Sequence, residues 1–390
     1  MTAIYLDHAA TTPLHHDVLE SMMPLLTGQY GNPSSQHSFG RKAKQALTDA
    51  RDSIASFLGC LPGQLFFTSG GTESDNTAII GTVSALKSKG KTHIITTAIE
   101  HHAVLHAAQQ LERMGCQVTY APVDEYGQVS VDAIAAAITP QTALVSVMYA
   151  NNEVGTVQPI GEIGRICRER GVLFHVDAVQ ALGHLPIDLA VLPVDLMSFS
   201  GHKIGAMKGV GLLYIARHVH LQPLLFGGSQ ERKKRPGTEN VPGIVGLATA
   251  VSMIPADLRE KMDRFEWLRK RFLQELSHQL GMTPDGPDVI TLNGHPSPEQ
   301  RLSSIVNISF NGIDKETMLM HLDLAGIAAS GGSACTSGSL EDSHVLMAMG
   351  LSSERVKSAI RFSFGAGHDE AEIVEAAHKI GTIANRLRKP

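Results

Sequence analysis

The stretch VDLMSFSGHKIGAMKGVGLLYI, residues 194–215, contains two apolar runs that flank a short polar segment. Short apolar runs bounded by turn residues are typical of strands that are buried on both faces of a sheet. Similar runs precede this stretch, and segments of helix length separate them. They are QLFFTS (64–69), THIITTA (92–98), QVTYAPV (117–123), TALVSVMYA (142–150) and VLFHVDA (172–178). The pattern predicts an α/β domain with a mostly parallel sheet covered by helices.

The remainder of the chain predicts a second, smaller α+β domain. Residues 256–280 have the apolar spacing of a long amphipathic helix, and further strand-like and helix-like segments follow it. We therefore predict a large α/β domain over residues 15–255. The small domain is predicted to combine residues 1–14 with residues 256–390.

Composition and charge exclude several classes of protein. The chain has 390 residues, 43% of them hydrophobic, and a net charge of −5, which argues against general binding to nucleic acids or anionic membranes. Without an apolar leader or a membrane-length apolar run, we expect a cytoplasmic protein. The cysteines form no C-x-x-C pair, and the histidines lack metal-ligand spacing, so neither a disulfide framework nor a metal site is expected. The cysteines are Cys60, Cys116, Cys167 and Cys335.

Three predicted strands end in polar residues, at the sheet edge where open α/β sheets bind ligands. Residues 69–72 precede a helix whose first N–H groups favour a phosphate, although Thr72 and Asp75 also fit an ordinary helix cap. Asp177 ends a buried strand, where its carboxylate needs a cation or caps the next segment. Lys203 lies between core strands, where desolvation favours the neutral, nucleophilic amine unless the side chain reaches solvent. Together, these features suit pyridoxal phosphate, which needs a phosphate anchor, a lysine for its aldehyde and a carboxylate for its ring nitrogen.

Almost the whole sequence resembles the cysteine desulfurases of the NifS/IscS branch in the class V aminotransferase family. The resemblance implies the aspartate aminotransferase-like fold, fold type I of the pyridoxal-phosphate enzymes, in a homodimer. The matching motifs occur in the order that the family has. They are YLDHAATTP (5–13), GNPSSQHSFGRKA (31–43), FTSGGTESDN (67–76), EHHAVL (100–105), NNEVGTVQPI (151–160), HVDAVQALGH (175–184), SFSGHKIGAMKGVG (198–211), RPGTENV (235–241), SGGSACTSGS (330–339) and AIRFSFG (359–365).

The resemblance also implies how the cofactor is bound. Lys203 would bind the aldehyde and later move a proton, and Asp177 would pair with the ring nitrogen. Gln180 would hydrogen-bond the phenolic oxygen, while His101 would stack on the ring and is a candidate to take the substrate's thiol proton. Thr238 would reach the phosphate in the partner subunit, although a solvated basic loop is the alternative for its segment. The residues implied to hold the phosphate are Gly71, Thr72, Ser200 and His202.

The same resemblance implies roles in binding and in sulfur transfer. Arg361 and Asn152 would bind the carboxylate of L-cysteine, although a structural salt bridge is the alternative for Arg361. Cys335 would take the sulfur as a persulfide, leave L-alanine, and carry the sulfur to an acceptor protein for iron–sulfur cluster assembly or tRNA thiolation. Small neighbours suit a thiol that must move between these places. The alternatives are another class V enzyme, such as a selenocysteine lyase or an aminotransferase, and a sulfur-transfer scaffold without catalysis.

Overall fold

The computed structural model describes residues 3–282, 289–332 and 342–388, which form twelve strands and twelve α-helices. The strands are β1 (Ile4–Tyr5), β2 (Leu65–Thr68), β3 (His93–Thr97), β4 (Gln117–Ala121), β5 (Thr142–Met148), β6 (Leu173–Asp177), β7 (Leu196–Ser200), β8 (Gly211–Ile215), β9 (Ile290–Asn293), β10 (Ile305–Phe310), β11 (Ile327–Ala328) and β12 (Ala359–Ser363). The helices are α1 (His16–Thr27), α2 (Ser38–Leu58), α3 (Gly71–Leu86), α4 (His102–Arg113), α5 (Val131–Ala137), α6 (Ile160–Glu169), α7 (Val241–Ser252), α8 (Arg259–Gln279), α9 (Lys315–Leu324), α10 (His344–Ala348), α11 (Ser353–Lys357) and α12 (Glu370–Leu387).

The central sheet has seven strands in the order β2-β8-β7-β6-β5-β3-β4. Only β8 runs antiparallel to its neighbours; the other adjacent pairs are parallel. Strands β3, β5, β7 and β8 are buried at every residue, as expected for a sheet covered on both faces. The predicted α/β class with a mostly parallel sheet is therefore confirmed. Because Met148 pairs with Asp177, and Asp177 with Ser198, the carboxyl ends of β5, β6 and β7 lie side by side.

A second apolar core forms around α8, α12 and the three-stranded sheet β12-β10-β9. Helix α8 begins three residues later than the sequence predicted and buries Phe265, Leu268 and Phe272. The Phe272 ring packs against Phe362 and Phe364, with centroid distances of 5.4 and 5.6 Å. Losing such a buried ring costs roughly 3–5 kcal/mol of unfolding free energy, so α8 is held mainly by this face.

The amino-terminal segment belongs to both cores. Ile4 and Leu6 pack into the core around α8, whereas Ala9 packs into the core of the central sheet. Strand β1 also pairs in parallel with β11, far along the chain. The division of the chain at residues 15 and 255 stays a prediction. Within the described ranges, no helix combines the length and the apolarity needed to cross a membrane.

A buried ion pair connects α2 to the loop that precedes α7. The Arg51 guanidinium donates from Nη1 to Glu231 Oε2 at 3.0 Å, and from Nη2 to Oε1. The same carboxylate accepts the Phe67 N–H at 3.0 Å. Glu231 adopts a φ of 41°, a left-handed conformation that a non-glycine residue keeps only when its surroundings hold it. The ion pair therefore fixes an unfavourable loop conformation.

Replacing Glu231 with alanine should destabilise the protein strongly, because it leaves the Arg51 guanidinium buried without its carboxylate. The expected loss is about 3–5 kcal/mol of unfolding free energy, measured by urea denaturation. Glu260→Ala, at an exposed position of α8, is the matched control and should change the value little. Equal losses in the two variants would show that burial of this pair is not what matters.

Candidate active site

Residues at the carboxyl edge of the central sheet line a cavity of ≈ 170 Å³. Most of the residues predicted from the sequence lie in its wall. They are Gly71, Thr72, His101, Asn152, Asp177, Gln180, Ser200, His202, Lys203 and Arg361. Thr238 is exposed and does not line this cavity of its own chain. Cys335 lies outside the described residues.

One end of the cavity is formed where β2 passes into α3. Helix α3 begins at Gly71 and has 16 residues, so the N–H groups of its first turn are available to an anion. Residue 71 must be small, because a Cβ there would lie 2.7 Å from Val179 Cγ2. Across from it, the buried Ser200 hydroxyl has no hydrogen-bond partner within the described residues. This end of the cavity can therefore bind a phosphate group.

Lys203 lies in the short turn that follows β7. Its ammonium group donates to the carbonyl of Ala10 at 2.8 Å and to that of Ala9. Both carbonyls belong to the amino-terminal segment that joins the two cores. Hydrogen bonds to backbone oxygens therefore hold the amino group in the cavity wall. No carboxylate takes part in these two bonds, so the amino group can bind an aldehyde without breaking an ion pair there.

Asp177 ends β6 and is only 5% exposed. Its Oδ1 atom accepts the Val179 N–H at 2.9 Å. Burial raises the pKa of Asp177 to about 6, while the Val179 N–H and the Lys203 ammonium group oppose the shift. The carboxylate therefore gains from any cationic N–H that enters the cavity. Beside it, the Gln180 side-chain amide donates to the Ala9 carbonyl at 2.9 Å.

His101 is the N-cap residue of α4. Its Nδ1 atom accepts the Ala103 N–H at 3.1 Å, so a neutral ring carries its proton on Nε2. Burial lowers the pKa of His101 to about 4, and the positive charge of Lys203 adds to the shift. The imidazole is therefore uncharged near neutral pH. The adjacent His102 does not line the cavity and instead lies beside His344, with ring centroids 4.8 Å apart.

Arg361 of β12 both lines the cavity and forms an ion pair. It is 1% exposed, and its Nη2 atom donates to Asp7 Oδ1 at 2.8 Å. Its Nη1 atom donates to the Asn152 carbonyl at 2.8 Å. Its Nε atom is buried and has no hydrogen-bond partner in the described part of the chain. The structural salt bridge that the sequence analysis offered as the alternative for Arg361 is therefore present, and Arg361 also lines the cavity.

Asp75 is a second carboxyl group in the cavity wall that the sequence did not single out. The spacing of Thr72 and Asp75 fitted a helix cap, but α3 begins at Gly71, so Asp75 lies inside the helix. Asp75 is 1% exposed, and its Oδ1 atom lies 3.6 Å from His175 Nε2. Burial raises its pKa well above the usual value, and the charge of Asp177 adds to this. The sequence signal that could have identified Asp75 as a site residue is an acidic side chain three residues after a glycine-rich turn.

The described residues on either side of 333–341 bond to Arg361 of the cavity wall and to Glu153, which follows a cavity residue. On one side, the Arg361 N–H donates to the Ser330 carbonyl at 2.6 Å. On the other side, the Ser343 hydroxyl donates to Glu153 Oε2 at 2.6 Å. Glu153 is fully buried and follows Asn152, which lines the cavity. Ser330 and Ser343 therefore both lie close to the cavity.

Comparisons with known proteins identify relatives in one family. The model of the aminotransferase class-V family matches residues 4–375. A Clostridium botulinum (strain Hall) protein named cysteine desulfurase IscS is 48% identical over 386 residues, which are 99% of this chain and 95% of that protein. The solved structure of a NifS-like protein is 37% identical with a TM-score of 0.91, covering 99% of this chain and 100% of that chain. A structure described as SspA in complex with cysteine is 35% identical with a TM-score of 0.80, covering 93% and 98%.

The cavity residues fit pyridoxal phosphate, the cofactor expected from the sequence. The Ser200 hydroxyl and the start of α3 offer donors for a phosphate, and neither is used within the described residues by another anion. The Asp177 carboxylate matches a ring N–H, and the Lys203 amine can bind an aldehyde. These groups therefore form a donor and acceptor set that matches the cofactor from its phosphate to its ring nitrogen.

Proposed function

Because this chain belongs to the class-V aminotransferase family and is a pyridoxal-phosphate-dependent cysteine desulfurase, we propose that Cys335 receives the sulfur of L-cysteine. Cys335 would become a persulfide, and L-alanine would be released. The observation that carries this proposal is that Ser330 and Ser343, on either side of the segment 333–341, both lie close to the cavity. The desulfurase names of the relatives favour this activity over a selenocysteine lyase, another aminotransferase or a scaffold without catalysis.

The cofactor would be held from its phosphate to its ring. We assign its aldehyde to Lys203, its ring nitrogen to Asp177 and its phenolic oxygen to Gln180. When bound, pyridoxal phosphate draws electrons from the substrate, which makes the Cα proton and the Cβ–S bond labile. The phosphate ligands are assigned to Gly71, Thr72, Ser200 and His202.

Arg361 and Asn152 would bind the carboxylate of L-cysteine. The guanidinium group already has a fixed orientation, because Asp7 and the Asn152 carbonyl hold its two terminal nitrogens. Its Nε atom, which has no protein partner in the described ranges, leaves a donor for a ligand. A buried guanidinium whose Nε donor is unused gains from a second carboxylate, which supports this assignment.

Lys203 and His101 would divide the proton-handling and orienting roles. With pyridoxal phosphate and substrate bound, the Lys203 amine would take the Cα proton and return it elsewhere. His101 accepts the Ala103 N–H with Nδ1 and carries its own proton on Nε2. We therefore assign His101 to stacking and to hydrogen-bond donation; to take a thiol proton, the ring would first have to change its tautomer.

Cys335 is close enough in the chain to reach the cavity. It follows Gly332 by three residues, and three residues of extended chain span at most about 11 Å. A Cβ on Gly332 would lie 3.0 Å from Oε2 of Glu153, the residue that follows Asn152 in the chain. This short tether supports a thiol that meets the substrate's sulfur and then carries it away from the cavity.

The site of the persulfide can be mapped by mass spectrometry after the enzyme has been mixed with L-cysteine. We expect one added sulfur atom on the Cys335 peptide. Burial raises the pKa of Cys60 to about 11 and that of Cys167 to about 12, so these thiols are protonated near neutral pH and should stay unmodified. Alanine formation with the added sulfur on Cys60 or Cys167 would contradict the assignment.

An acceptor must take the outer sulfur atom from the persulfide before the next turnover. We propose an acceptor protein that serves iron–sulfur cluster assembly or tRNA thiolation, without direct contact between this enzyme and nucleic acid. The net charge of −5 supports the second part, because phosphate backbones bind basic surfaces. The cytoplasmic location expected from the sequence stays a prediction.

We also propose a homodimer. Helix α1 exposes Leu19, Met23 and Leu26 at spacings of four and three residues, which places them on one face. Tyr30 and Phe39, also exposed, pack together close by in sequence, with ring centroids 5.8 Å apart. Apolar patches of this kind mark protein interfaces. The exposure of Thr238 in its own chain supports its reach to the partner subunit's phosphate.

The double variant Leu19→Asp and Met23→Asp should convert the dimer to a monomer, because two charges would be desolvated in the interface. Analytical ultracentrifugation measures the mass directly. Leu324→Asp, at an exposed position of α9, is the matched control and should remain dimeric. A wild-type monomer, or a double variant that stays dimeric, would contradict the proposed interface.

A further inference from the structure

Two carboxyl groups lie in the wall of the same small cavity. Asp75 comes from α3 and Asp177 from the end of β6, and both line the space next to Lys203. Their exposed fractions are 1% and 5%, so water screens neither charge. The proposed function uses only Asp177, which leaves the state of Asp75 to be explained.

A chain of hydrogen bonds surrounds Asp75 but supplies no positive charge. His175 Nδ1 lies 2.8 Å from the Ser146 hydroxyl, and its Nε2 lies 2.9 Å from the Ser198 hydroxyl. The Ser198 side chain also acts on the Asp75 carboxyl group, where it lowers the pKa and opposes part of the effect of burial. Burial lowers the pKa of His175 to about 3, so the ring is neutral at physiological pH. His175 is the only basic side chain within 4.0 Å of the Asp75 carboxyl group in the described ranges.

Among the described residues, three titratable groups face Asp75: Asp177 and His175 of β6, and Glu100, which follows β3. The charge of Asp177 favours the protonated form of Asp75, and Glu100 adds to this when it is ionised, while burial raises the pKa of Glu100 itself to about 8. Two neighbouring buried carboxyl groups do not both ionise when no cation lies between them. The positive charge of Lys203 lowers the pKa of Asp177 and so favours the ionised form of that carboxyl group. The negative charge therefore belongs on Asp177 and the proton on Asp75.

We propose that Asp75 is a positioning residue that works as a neutral carboxylic acid, so that Asp177 is the one carboxylate facing the cofactor's ring nitrogen. This inference rests on the proposed role of Asp177. A neutral Asp75 lies beside the His175 ring without adding a second negative charge to the cavity wall. A charged Asp75 would compete with Asp177 for the ring proton and would cost desolvation energy.

Infrared difference spectroscopy of the holoenzyme tests the proton directly, because a protonated carboxyl group absorbs apart from carboxylates. At about pH 7.5, far above the usual aspartate range, we expect a protonated-carboxyl band in the wild type. The part of the band that shifts with isotope-labelled aspartate should be lost in Asp75→Asn and kept in Glu100→Gln. Because burial raises the pKa of Glu100 to about 8, Glu100→Gln should remove only a part that does not shift with labelled aspartate. Isotope-labelled aspartate assigns the band in the wild type without any substitution, which keeps the test valid if Asp75→Asn does not fold. A wild type without a shifted aspartate band would overturn the inference.

Cofactor affinity separates this inference from the proposed function. Asp75→Asn replaces one neutral group by another, so the dissociation constant of pyridoxal phosphate should stay within about threefold of wild type. Asp177→Asn removes the charge and should weaken binding roughly 100-fold. A large loss of affinity in Asp75→Asn would overturn the neutral-acid role and leave the proposed function intact. Unchanged affinity in Asp177→Asn would instead contradict the assignment of Asp177, whatever the proton on Asp75.

Discussion

Lys203→Ala should lower the rate of alanine formation from L-cysteine by roughly 10⁴-fold or more, because one side chain is assigned two tasks. The variant loses both the covalent attachment of the aldehyde and the base for the Cα proton. Lys203 is the only lysine among the described residues that line the cavity, so no neighbour can replace it. Alanine release and the visible absorbance of the bound cofactor measure the two losses separately.

Lys208→Ala is the matched control for that experiment. Lys208 is exposed, follows Lys203 by five residues and does not line the cavity. We expect near wild-type turnover and absorbance from this variant. Lys203→Ala activity within about tenfold of wild type would be incompatible with both assigned tasks, since general base catalysis alone contributes at least 10²-fold.

Cys335→Ser should abolish sulfur transfer while leaving the cofactor bound. A serine hydroxyl stays protonated and attacks sulfur poorly, so we expect a rate of alanine formation at least roughly 10³-fold lower. The cofactor absorbance should be unchanged, because Cys335 holds no part of the cofactor. This combination of lost turnover and normal absorbance distinguishes the thiol from Lys203, whose removal changes both.

Cys60→Ser is the matched control for the thiol. Cys60 is half-buried, and burial raises its pKa to about 11, so its thiolate is scarce at neutral pH. Turnover of Cys60→Ser should equal that of the wild type. If Cys335→Ser still formed alanine and a persulfide at the wild-type rate, another sulfur acceptor would have to be found.

The central sheet was predictable because its strands are short, apolar and separated by helices. Parallel strands end at one edge, so Asp177 and Lys203 could be expected to lie near each other before any coordinates were known. The structure supports that expectation with the pairing of Asp177 and Ser198. Roles such as ring stacking by His101 came from the family resemblance and not from the strand pattern.

Other features of the site depend on tertiary contacts that no local pattern encodes. Asp7 and Arg361 form an ion pair although they are 354 positions apart. Asp75 fitted a helix cap, and its burial becomes visible only once α3 is seen to begin at Gly71. Sequence spacing reports which residues share an element, whereas these contacts depend on how distant elements pack.

Borohydride reduction of the enzyme loaded with pyridoxal phosphate, followed by peptide mapping, identifies the lysine that binds the cofactor. Reduction makes the bond between the cofactor and its lysine permanent, so the modified residue can be identified by mass. The cavity geometry predicts one pyridoxyl group per chain, on Lys203. A pyridoxyl group on Lys208 or on any other lysine, or no labelled lysine, would contradict the assignment of Lys203.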